Sequence, residues 1–192
     1  MTDETNIIVL NDGISSDLPT PTMLVWVRNS TSYRLGRQMM TERQLADGIR
    51  KKARQKFEGI NEAQLKALAD TAVKFGHDMK ALDDIAYAGI SARSGARNGK
   101  SKRMIAQKLS QKGVDRETVS LALEDSDDLF AAVVFARKRA FGPFRRGELD
   151  DRHKAKELSA FARNGFGFEL GKTVFAMSLE EAEEVLHSAA LG

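Results

Sequence analysis

The chain has 192 residues, 42% of them hydrophobic and 30% charged, a balance that supports one or two folded domains or one extended array. It contains no cysteine, which excludes a disulfide scaffold and any thiolate zinc site and fits a reducing compartment. A net charge of +3 is too small to define a partner, so the clustering of the cations carries the information.

Residues 1–30 read as an N-terminal arm, extended or disordered. They hold the stretch SSDLPTPT and two short β-prone runs, Ile7–Leu10 and Leu24–Val27. Asp3 and Glu4 stand where an export leader needs positive charge, so a cytoplasmic location is expected. No apolar run approaches the roughly 18 residues that cross a bilayer.

From Thr31 onward the signals are helical. Thr41 and Gln44 have the spacing of a capping box, and Leu45, Ile49, Ala53 and Phe57 follow as one apolar stripe. Asn61 starts the next helix, with Leu65, Leu68 and Ala72 facing inward. Ser101 and Asp115 are the expected caps of two further helices, carrying Ile105 and Leu109, then Val119 and Leu123. Gly113 closes the first of these, because glycine accepts the left-handed conformation that ends helices. Ser178 and Glu181 form another capping box near the C-terminus.

The pattern repeats. LDDIAYAGISARSG from Leu82 matches SDDLFAAVVFARKR from Ser126: an Asp pair, a small apolar face, then Ala-Arg. The stretch from Gly99 to Leu123 matches Thr41–Ala69, with a short insertion near Arg54–Gly59. It also matches Lys154–Met177 more weakly, placing Asn164-Gly165-Phe166 on Lys112-Gly113-Val114. A helical period of about 45–55 residues predicts tandem units, each burying its apolar face on the next. The expected domains are helical repeats over 31–76, 77–124 and 125–192, the last including a C-terminal helix.

These residues resemble the RecX family, regulators of the RecA recombinase. The resemblance rests on the Asp-pair helix, on GKSKRMIAQKLSQKGV (99–114), on the helix end at Val119–Leu123, and on FARNGFGF (161–168). It covers roughly Ser32 to Met177. It implies an all-α fold, an elongated array of tandem three-helix repeats behind a mostly non-helical N-terminal arm. It also implies a non-enzymatic protein that binds the RecA nucleoprotein filament and suppresses its ATPase, strand exchange and coprotease functions. Single- or double-stranded DNA is a further partner implied by the resemblance.

Other chemistry weighs less. Gly99-Lys100-Ser101 ends like a phosphate-binding loop, but Ser94 stands where the first glycine is required, and Ile85–Arg93 reads as a helix, not a strand. The expectation is that Gly95 and Gly99 form a flexible link. The pairs Asp83-Asp84 and Asp127-Asp128 read as helix caps. Phe161, Phe166 and Phe175 read as core. His77, His153 and His187 fall in no ligand spacing, so no metal, cofactor or small-molecule substrate is expected.

The basic tracts are the informative feature. Arg93, Arg97, Lys100, Lys102, Arg103 and Lys108 form one; Arg137, Lys138, Arg139, Arg145 and Arg146 form another. Cations at a helix start are disfavoured by the helix dipole, so folding does not obviously explain Lys100, Lys102 and Arg103. The expected use of both tracts is contact with the filament. The alternative is a stand-alone basic nucleic-acid-binding module, whose phosphate contacts give affinity without sequence specificity.

Overall fold

The structure is a computed structural model that describes residues 17–148 and 150–188. Among them the chain forms ten α-helices and one short 3-10 turn, with no strand. The all-α expectation therefore holds. The helices are α1 Pro21–Leu35, α2 Glu42–Lys56, α3 Glu62–Asp78, α4 Asp84–Arg97, α5 Lys102–Gln111, α6 Arg116–Leu123, α7 Asp128–Arg139, α8 Asp151–Arg163, α9 Phe168–Ala176 and α10 Leu179–Ser188. They divide into two compact units. Of the described residues, one unit takes those up to Gln38 and Leu45–Ala81, and the other takes Met39–Gln44 and those from Leu82 onward.

In the first unit, helix α1 corrects the reading of the arm. Leu24–Val27 is helical, and the helix starts at Pro21, ahead of the boundary expected near residue 31. Proline is pre-organised for a first helical turn, and the Thr20 hydroxyl accepts the Met23 N–H at 3.3 Å. Met23, Val27 and Thr31 are buried at a four-residue spacing, which overrides the β-propensity of the run. The Ile7–Leu10 run lies outside the described residues. Trp26 meets Phe57 edge-on, with ring centroids 5.2 Å apart. Asn61 and Gln64 complete a capping box at the start of α3.

The second unit has two neighbouring cores. Tyr87, Ala88, Ile105, Leu109, Val119 and Leu123 build one from α4, α5 and α6. Phe135, Phe161 and Phe166 build the heart of the other, with centroids 5.3 to 6.0 Å apart. Phe175 is only partly buried. The buried run Ala131–Ala136 makes α7 the central helix of this core, as an apolar girdle on every side of a helix requires.

One junction occurs twice in this unit. At its first occurrence, the buried Thr41 hydroxyl accepts the Gln44 N–H at 3.1 Å and donates to the carbonyl of Lys112 at 2.6 Å. The next N–H, of Glu42, donates to Asp84 Oδ1 at 3.0 Å. At the second, the buried Ser101 hydroxyl accepts the Met104 N–H at 3.2 Å and donates to the carbonyl of Asn164 at 2.7 Å. The N–H of Lys102 then donates to Asp128 Oδ1 at 2.7 Å. Each hydroxyl thus satisfies one unpaired donor at a helix start and one unpaired acceptor at the C-cap of another helix. The aspartate pairs split their work. Asp83 and Asp127 cap their own helices, through Ala86 N–H at 2.9 Å and Leu129 N–H at 2.7 Å. Asp84 and Asp128 serve a helix start elsewhere in the unit.

Both acceptor ends close on glycine. Gly113 has φ +88° and Gly165 +81°, and each closure makes the same two bonds: Val114 N–H to Leu109 O and Gly113 N–H to Ser110 O, then Phe166 N–H to Phe161 O and Gly165 N–H to Ala162 O. A side chain at either glycine would strike Arg43 or Ser101, at 2.4 and 2.6 Å.

The expectation of a flexible link at Gly95 and Gly99 is overturned. Gly95 lies inside α4 and is buried against Ile105. Gly99, at φ +74°, closes α4 in the same manner, and its Cα lies so near α7 that an added Cβ would stand 2.9 Å from Phe135 N. This is a tight turn pinned between two helices.

Candidate functional site

The cations singled out in the sequence all fall in the second unit. The structure separates them by what they already touch. Arg145 is committed to the fold. Its Nε and Nη2 donate to the buried Glu157 carboxylate at 2.8 and 2.7 Å, and Gly142 N–H donates to the same group at 2.8 Å. Burial pushes the Glu157 carboxyl up, but the Arg145 hydrogen bonds and then that of Gly142 outweigh it and hold it below the ordinary carboxylate range. Arg146 beside it is exposed.

Lys102 and Arg103 also have folding roles that the sequence reading missed. Asp128 faces the backbone N–H of Lys102, offsetting a cation at the start of α5, and Lys102 Nζ reaches the Glu124 carbonyl at 3.4 Å. The Arg103 Cβ lies 3.3 Å from where a Gly165 side chain would stand, so its stem covers that turn.

The remaining cations line two different concavities. Arg93 and Arg97 on α4 edge a cleft of about 460 Å³ with Leu121, Asp125, Asp127 and Phe130. Acids share that cleft. Lys100 and Lys108 edge a second, smaller cavity, together with Lys112 and with Tyr87, which the sequence reading did not single out. Tyr87 could be found only as the one polar-tipped side chain among the buried residues of α4. Its hydroxyl takes a hydrogen bond from Lys112 Nζ.

Lys138 joins the second tract to the first. Its Nζ donates to the Asn98 carbonyl at 3.1 Å and to Asn98 Oδ1 at 3.2 Å, at the C-terminal end of α4. Arg137 and Arg139 flank it, exposed on the last turn of α7. The structure thus gathers Lys100, Lys108, Lys112 and Lys138 at one place. Arg93 and Arg97 line a cleft that shares no residue with the lysine cavity, and Arg145 is half-buried against Glu157.

Ser101 is a helix cap and α4 precedes the turn, so the Gly-Lys-Ser sequence has neither the strand nor the loop of a nucleotide-binding motif. No group of three or more His, Cys, Asp or Glu side chains is placed to hold a metal ion among the described residues. No helix among them is long and apolar enough to cross a membrane.

Comparison with known proteins gives the same answer at three levels. The family model described as RecX, second three-helix domain, matches residues 83–123, which are α4 to α6. A protein of Agrobacterium fabrum named Regulatory protein RecX is 62% identical over 173 residues, 90% of this chain and 94% of its own. One of the same name from Myxococcus xanthus is 33% identical over 157 residues, covering 78% and 83%. The crystal structure of RecX from Lactobacillus salivarius shares the fold, with a TM-score of 0.63 at 18% identity over 86% of this chain and 99% of that one. Alignment over most of the chain with these named relatives, at 62% and 33% identity, establishes that this chain belongs to the RecX family.

Proposed function

We propose that this chain is a non-enzymatic regulator that binds the RecA–single-stranded DNA filament and inhibits its ATPase, strand exchange and coprotease functions. The observation that carries the reading is its alignment over most of its length with proteins named Regulatory protein RecX. The surface cations that take part in no ion pair among the described residues support it: Arg93, Arg97, Lys100, Lys108, Arg137, Lys138, Arg139 and Arg146 remain as the surface offered to the acidic filament, while Arg145 is held by Glu157 and Lys102 and Arg103 serve mainly the junction. Such a regulator acts by binding one arrangement of the filament more tightly than another, since a ligand shifts an equilibrium only through differential affinity. Its place of action on this reading is the cytoplasm.

The test is a titration of the DNA-dependent ATPase of RecA with this protein, beside its binding to bare single strands. Inhibition that saturates, with affinity for the filament well above that for bare DNA, supports the reading. Equal affinity and equal salt dependence on bare strands would instead identify a nucleic-acid-binding module, and an unchanged ATPase rate at saturating protein would reject the regulatory role.

A further inference from the structure

The cavity between α4 and α5 encloses about 190 Å³. Its rim is basic: Lys100 from the turn, Lys108 from the last turn of α5, and Lys112 from its C-cap. Its floor includes the buried Ile105 and Leu109, the exposed Ile90 stands at its edge, and no carboxylate lines it. None of the ion pairs among the described residues uses these lysines or Lys138.

Ordinary helix electrostatics does not account for so much charge. The C-termini of α4, α5 and α7 attract cations, but each is equivalent to roughly half a negative charge. Three such ends supply roughly one and a half charges against four ammonium groups. The excess is felt. Lys100 is held below the ordinary lysine range, first by the charge of Lys108, then by burial, and further by Lys112 and Lys138. Lys112 cannot swing away freely, because its Nζ is tied to the Tyr87 hydroxyl.

From this convergence we infer that the Lys100–Lys108–Lys112 cavity is a phosphate-binding site. The donors are ammonium groups, which act as point charges from several directions and suit a tetrahedral oxyanion. A planar carboxylate is better matched by the arginine fork, and no arginine lines the cavity. Ser91, Ser94 and Tyr87 add hydroxyls to its wall. The volume lies below the roughly 300–1,000 Å³ of small-molecule sites, so the cavity takes a phosphate group and not a whole nucleotide. That group is either a free phosphate or pyrophosphate or one phosphodiester of a nucleic-acid strand. The site does not rest on the RecA reading.

The experiment follows the ¹⁵N-detected ammonium resonance of Lys112, a cavity lysine that the parent and both variants retain, during three titrations at constant ionic strength. The probes are inorganic phosphate, pyrophosphate, and a short oligothymidylate without terminal phosphates, each against a chloride control. The full chain is compared with K100Q/K108Q and with K154Q/R163Q, which loses the same charge on α8. Saturable shifts with any probe, absent with chloride, retained in K154Q/R163Q and weakened at least tenfold in K100Q/K108Q, establish the site. The first two probes acting alone assign a free anion, and the oligothymidylate acting alone assigns a strand phosphodiester. Thermal melting of K100Q/K108Q at or above the parent value shows that the variant is folded. If no probe exceeds chloride, or if folded K100Q/K108Q binds like the parent, the inference fails. A chain that ignores phosphate yet inhibits RecA loses only this site, and a chain that binds phosphate yet leaves RecA unaffected loses only the regulatory role.

Discussion

Helices α5 and α8 occupy the same place in successive repeats and solve the same problem differently. Both end in a glycine closure, after Leu109 and after Phe161. One turn earlier, the inward position is Ile105 in α5 and Glu157 in α8, exposed by only 3% and 4%. Ile105 presses on α4 so closely that a Cβ on Gly95 would stand 2.7 Å from its Cδ1. Glu157 instead gathers Arg145 and the N–H of Gly142, and so fixes the 3-10 turn Gly142–Phe144 after α7. An apolar contact can secure a neighbouring helix, whose own hydrogen bonds are already made. A loop with unpaired donors needs an acceptor, and a buried carboxylate supplies one.

The comparison breaks most visibly at Glu157. Glu157→Ala leaves Arg145 and Gly142 N–H without their acceptor and should cost about 3–5 kcal/mol in urea unfolding. Glu157→Ile gives α8 the side chain of α5 and should fall with it, not recover. Equal stability of Glu157→Ile and the parent would show that the ion pair is dispensable. The acid limb separates the two helices as well. The folded Glu157 pKa is depressed, so its contribution is complete above the unfolded value of about 4.3 and is lost as pH falls through the lower folded value. Melting between pH 7 and pH 3 should therefore fall less steeply for Glu157→Gln than for the parent. Asp115, Asp150 and Glu181, also depressed by hydrogen bonds at helix starts, keep part of the slope in both proteins.

A smaller loss is expected at the start of α5. Ser101→Ala removes a cap and strands the Asn164 carbonyl, for about 2 kcal/mol by chemical denaturation. Thr41→Ala should cost a similar amount if the two junctions are equivalent. A neutral Ser101→Ala would mean that the second junction is held by packing alone. The smallest effect would sharpen the parallel. Gln44 Oε1 accepts the Thr41 N–H at 3.2 Å, whereas Met104 at the matching position offers Ser101 N–H no such acceptor. Met104→Gln should complete the box and raise stability by about 0.5 kcal/mol, seen as a small rise in melting temperature.

The caps at Thr41, Asn61, Ser101, Asp115 and Ser178 were legible in the sequence because donor and acceptor lie three residues apart. The inward stripe Leu45, Ile49, Ala53 was legible for a similar reason, being periodic along one helix. The partners of Asp84 and Asp128 were not, since each bonds a backbone N–H far away in the chain. Gly95 read as a linker because glycine usually breaks helices, and only its contact with Ile105 explains it. The basic residues were legible as tracts but not as a site. Neighbours such as Arg97 and Lys100 line different concavities, while Lys100 and Lys138 lie close enough for each other's charge to be felt.

The twice-used junction also defines what a helix start can offer another helix. At Thr41 and Ser101 the capping hydroxyl has a proton for a distant carbonyl as well as an oxygen for its own helix. Helix α8 starts differently. Its N-cap is Asp150, a carboxylate that satisfies the His153 N–H at 2.6 Å and has no proton to give to an incoming carbonyl. Asp151 adds a second negative charge to the same exposed first turn. The start of α8 is therefore closed to a junction of this kind, and Asp150→Ser would restore the missing donor.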